Sequence, residues 1–99
     1  MKNEICEAIK SKRLLQFQYD GLVRVVEPHL LGRKTSGKDS LSAYLVRGYT
    51  KLDREPFWAC YVLSEMKSLV VLDEIFAAPR EGYNPNDKGM KYVFCRLAP

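Results

Sequence analysis

The sequence predicts a mainly β domain, α+β by content, built as a small, strongly bent sheet or barrel behind one N-terminal helix. Three observations carry this reading. Apolar residues recur at helical spacing only near the start, the period drops to two from Leu14 onward, and turn signals then return roughly every ten residues. Closing such a sheet would remove edges that a chain of 99 residues has little else to cover. The same length sets one domain over 1–99, with the helix at about 3–13, the barrel at about 14–76, and a loop and C-terminal strand over 77–99.

The helix is expected from Asn3 as cap, Glu4 and Glu7 in the first turn, and Lys10, Lys12 and Arg13 against the dipole at its end. Ile5 and Ile9 give it one apolar face. In "LLQFQYD", Leu15, Phe17 and Tyr19 alternate with Gln16, Gln18 and Asp20, the pattern of a strand with one wet side. Asp20-Gly21 is the strongest hairpin signal in the chain. "LVRVVEP" then returns, with Pro28 marking an edge, a bulge or the strand's end, and "HLLGRK" resuming beyond it. After the polar loop "KTSGKDS", the strand "LSAYLVRGYT" puts Ala43, Leu45, Arg47 and Tyr49 on one face. "FWACYVLS" is apolar enough to be covered on both faces, and a further strand centres on Leu69 to Leu72. "AAPREGYNPNDKG" is a long connection of the kind that is functional or wraps the surface, and "MKYVFCRL" alternates as a last strand.

Composition bounds the function. No apolar run approaches the ~20 residues that span a bilayer, and the charged start lacks the apolar core of a secretory signal. A cytoplasmic protein without membrane contact is expected. Cys6, Cys60 and Cys95 are odd in number and widely spaced, which argues against a disulfide framework. With His29 they lack the two-to-four-residue ligand spacing of zinc motifs, so no metal is expected. Lysine and arginine number 16 against 12 acids, and the whole excess lies in residues 1–50, which hold nine bases and five acids. Such a field suits a polyanion or nucleotide, and equally plain solubility.

Nothing in the sequence assembles a nucleophile with its base. His29, the one histidine, reads as a side chain at a strand bend, and "GRKTSG" lacks the glycine-lysine-serine or threonine ending of a P-loop. An enzyme and a cofactor are therefore not expected. Binding surfaces remain: arginine forks hold phosphates and aromatic rings stack bases. Arg24, Arg33, Arg47 and Arg54 interleave with Tyr44 and Tyr49, and these six are the candidate ligand-binding residues. The pattern also fits Arg47 lying over an apolar sheet with Tyr49 half-buried.

"ICEAIKSKRLLQFQYDGLVRVVEPHLL" followed by "AYLVRGYT" resembles the WYL domain, whose members carry "I..AI...R.L...Y", then "R.V.P..L", then a tryptophan-tyrosine-leucine motif. Tyr19, Arg24, Pro28, Tyr44 and Leu45 match, Ala43 stands where tryptophan is usual, and the likeness covers roughly residues 5 to 76. In its weaker second half Arg54 matches an arginine before an aromatic strand, while two arginines of the family's "FRLDRI" segment fall on Val62 and Glu65. The resemblance implies an Sm-like or SH3-like β-barrel with an N-terminal helix, usually found behind a DNA-binding module in bacterial regulators of transcription, phage defence or DNA damage. It implies a non-enzymatic domain that binds single-stranded nucleic acid or a nucleotide through basic and aromatic residues. A bare domain of this kind needs a separate DNA-binding partner. The alternative is a protein–protein interaction or homo-oligomer module acting through "FWACYV" or the proline-rich loop, with Trp58 and Tyr61 as anchors.

Overall fold

A computed structural model describes residues 1–48 and 57–99, so Tyr49 and Arg54 lie outside the described residues. One helix, α1 (Lys2–Ser11), precedes six strands: β1 (Arg13–Tyr19), β2 (Leu22–Lys34), β3 (Asp39–Gly48), β4 (Phe57–Val62), β5 (Lys67–Ile75) and β6 (Met90–Arg96). A single 3-10 turn, Leu63–Glu65, joins β4 to β5. The fold is mainly β with an N-terminal helix, as the sequence predicts. All pairings are antiparallel, in the order β4-β3-β2-β1-β5, with β6 beside β2. The ladder ends at β4 and β5, and the described residues do not close it into a barrel.

The cap of helix α1 lies two residues earlier than its sequence suggests: Met1 occupies it without a side-chain bond, and Asn3 lies inside the helix. It stops at Lys12, which turns left-handed (φ 56°) and donates its N–H to the carbonyls of Ala8 and Ile9. Ile5, Ala8 and Ile9 are buried against the sheet. Between β1 and β2 the hairpin forms as expected. Asp20 and Gly21 both adopt positive φ (54° and 75°), the primed turn that a two-residue connection requires.

Strand β2 organises the molecule. Along one edge it pairs with β1 up to Val26 and with β6 from Leu30 onward, while β3 runs along the other. Pro28, which has no N–H to give, falls in the gap between the two partners, where the β3 register also slips. Gly32 permits the close approach of β6, since a Cβ there would collide with the Tyr92 carbonyl and the Met90 sulfur.

Three expectations need correction. Leu45 stands opposite Val26 but Arg47 opposite Val25, so a bulge puts Arg47 out of phase with Leu45 instead of on its face. Strand β4 is an edge strand, not doubly covered: Tyr61 is buried, Cys60 is exposed, and the other four residues are half-buried. Finally, Cys6 and Cys95 form a disulfide that staples α1 to β6, with Cα atoms 5.8 Å apart. Sequence separation of 89 residues gave no local sign of it, because the pairing is made by the docking of β6.

Candidate ligand surface on β6 and the helix N-terminus

The predicted basic residues do not converge. Arg24 is only 8 % exposed, its guanidinium 5.9 Å from the centre of the Tyr19 ring, with Nη2 3.5 Å from the Tyr19 carbonyl and Nε without a hydrogen-bond partner. Burial pushes the Tyr61 hydroxyl pKa up, and the nearby Arg24 charge offsets part of that rise. A ligand cannot reach this cation without opening the core. Arg47 is exposed but forms a two-pronged pair with Glu74 (2.6 and 2.9 Å), which raises its own pKa and lowers that of Glu74.

Tyr44 serves a different centre. Its ring lies 4.6 Å under the Arg80 guanidinium and edge-on to Trp58. Arg80 in turn clamps the buried Glu27 through Nε and Nη2 at 2.7 and 3.0 Å. Beside this pair sits His29, fully buried. The Arg80 backbone N–H donates to Nε2 (3.1 Å), so the ring's proton resides on Nδ1, which donates to the Glu27 carbonyl (2.8 Å). Trp58, Tyr83 and Phe76 surround the imidazole at 4.6, 5.0 and 5.5 Å, and burial lowers its pKa despite Glu27. Trp58 completes the arrangement by donating Nε1–H to the Glu81 carbonyl (2.8 Å). The long connection after β5 is thereby pinned to the sheet, and His29 is its anchor.

Arg33 is the predicted residue that reaches an open surface with aromatic company. It pairs with Asp39 (2.8 Å), opposite it on β3, while Lys2 of α1 reaches the other oxygen of the same carboxylate (2.8 Å). Both cations also lie over Phe94, at 5.6 Å for Arg33 and 4.2 Å for Lys2. Tyr92, next to Phe94 at 5.1 Å, is 59 % exposed and stands opposite Arg33 in the β2–β6 register. The hydrogen bonds from Arg33 and Lys2 pull the Asp39 carboxyl down to about 2, so both ion pairs persist throughout the ordinary pH range. Two cations on one carboxylate leave a net positive charge.

Two adjoining open cavities of about 530 and 570 Å³ share Asp39, Leu63 and Ser64. The first is lined by Lys2 and the second by Arg33 and Lys38. A smaller cleft of about 330 Å³, between the β1–β2 turn and the 3-10 turn, exposes Asp20 and Glu65 against Lys67 and is a poor seat for an anion. Among the described residues no cluster of three or more histidines, cysteines, aspartates or glutamates is placed to hold a metal, and no helix is long and apolar enough to cross a membrane.

Lys2, Tyr92 and Phe94 were absent from the predicted set. The alternation of Tyr92 and Phe94 is visible in "MKYVFCRL", but their place beside Arg33 depends on β6 returning to β2. No protein-family model, curated protein or solved structure matches the chain.

Proposed function

We propose that this is a non-enzymatic ligand-binding domain that recognises single-stranded nucleic acid or a nucleotide and acts through a partner protein in transcription regulation or phage defence. The observation that carries it is the meeting of Arg33 and Lys2 with Tyr92 and Phe94 beside the two Asp39 cavities. Phosphates would be held by the cations and an unstacked base by the exposed Tyr92 ring. The WYL resemblance supports the same class of ligand; Arg33 lies within the segment that carries the likeness, and Lys2, Tyr92 and Phe94 lie outside it. The described residues contain one α-helix and so no helix-turn-helix, which is why the proposal takes contact with promoter DNA from a DNA-binding element outside these residues.

Fluorescence anisotropy with single-stranded oligonucleotides at low and moderate salt tests the reading. Binding that falls steeply with salt is expected, and folded protein that binds at neither salt concentration overturns it. Replacing Tyr92 by alanine is expected to cost about 1–3 kcal/mol of that affinity, the usual worth of one stacked base. Asp39→Asn acts in the opposite direction. Relieved of the carboxylate, Lys2 and Arg33 are both available to phosphates, so affinity rises and the slope of log K against log salt steepens by about one.

A second reading, self-association, is favoured by Val23, Val70 and Ile75, large apolar side chains exposed on β2 and the sheet-ending β5. Tyr61 is buried and Trp58 is engaged by Glu81, so neither offers the free anchor the sequence suggested. Light scattering that finds a salt-insensitive oligomer, together with no oligonucleotide affinity, favours this reading over the first.

A further inference from the structure

The staple between α1 and β6 is not sealed in the core. Cys6 and Cys95 are half-buried, and both line an open cavity of about 530 Å³ floored by Ile9 and Leu97. Lys10, Lys12 and Arg96 contribute positive charge to its walls, against the single carboxylate of Glu7. Disulfide exchange requires an attacking thiolate with access to a sulfur, and a cationic concave wall raises the local concentration of anions. We propose that this cavity is a thiol–disulfide exchange site for a small carboxylate-bearing thiol.

Its volume falls within the range of small-molecule sites. The incoming thiolate forms an S–S bond to one cysteine sulfur as the Cys6–Cys95 bond breaks. The bonding electron pair leaves on the other cysteine, which takes a proton from water. Attack by a second thiolate on the mixed disulfide releases the oxidised small thiol as a symmetrical disulfide and leaves both cysteines reduced, the two electrons having come from the two thiols. Cys60, the unpaired cysteine, is exposed on β4 and is not among the residues lining this cavity. Nothing in the reaction depends on the nucleic-acid reading.

The test uses the full chain carrying Cys60→Ser, treated in native buffer with 3-mercaptopropionate, 2-mercaptoethanol or cysteamine, acid-quenched and followed by intact mass. Rates are expressed per thiolate and divided by those with dimethyl disulfide, a neutral reference that none of the three thiols regenerates, which removes intrinsic differences in nucleophilicity. The acidic thiol is expected to open the disulfide about tenfold or more faster than the cationic one. That preference should shrink as salt is raised and fall in Lys10→Gln/Lys12→Gln. Equal normalised rates, a preference for cysteamine, or a preference indifferent to salt overturns the proposal. So does a disulfide that reacts with none of the three until the protein is denatured. The salt series on the otherwise unaltered chain decides the matter if the lysine variant does not fold.

Discussion

His29→Ala is expected to lower the unfolding free energy by about 3–5 kcal/mol, the range of a large side chain removed from a fully packed site. Two effects combine. The cavity opens among Trp58, Phe76 and Tyr83, and the Arg80 N–H and Glu27 carbonyl each lose a buried partner. Urea denaturation measures the loss, and a change below about 1 kcal/mol would show that the loop does not depend on this anchor. His29→Phe separates the two effects, since it refills the aromatic cluster but cannot make either hydrogen bond. The same residue sets a pH dependence. Its folded pKa lies below the ordinary 6.5, so the unfolded chain binds the extra proton more readily. The contribution is fully present above about 6.5 and is lost as pH falls through the window from there down to the folded pKa. Acid sensitivity in that window should vanish in His29→Phe.

Converting both Cys6 and Cys95 to serine is expected to cost about 2–5 kcal/mol, with the larger values following from the long loop that the bond closes. The disulfide joins residues separated by 89 positions, so its removal restores much of the unfolded chain's freedom while changing few folded contacts. Chemical denaturation of the oxidised protein and the double-serine variant, each in its own buffer without thiols, reads the difference. Equal midpoints and slopes would mean that helix packing alone holds α1 on β6.

The sequence made the local elements legible because each is written in nearest-neighbour terms. Helix spacing at Ile5 and Ile9, alternation through Leu15 and Phe17, and Asp20-Gly21 all produced the structures they specify. What it hid depends on residues distant in sequence. Arg24, an ordinary surface cation by type, is buried because its face of β2 turns inward beside the Tyr19 ring of the paired strand. Arg47 changes phase through one bulge that no propensity signals. The role of His29 was invisible until Arg80, from the far side of β5, delivered its N–H to the ring. The Cys6–Cys95 bond and the Arg33–Tyr92 surface share one cause, the return of β6 to β2.

That return has a consequence for the order of assembly. The β1–β2, β2–β3 and β4–β3 ladders join strands consecutive in the chain, whereas β6 must find the second half of β2 after the intervening strands have been placed. Loop-closure entropy makes such a distant pairing slow and late. In refolding followed by pulsed hydrogen exchange, the amides of β6 should therefore gain protection after those of the β1–β2 hairpin. Until they do, the C-terminal half of β2 is an unpaired edge, open to pairing with another chain, and the nascent molecule is most prone to aggregate in that interval.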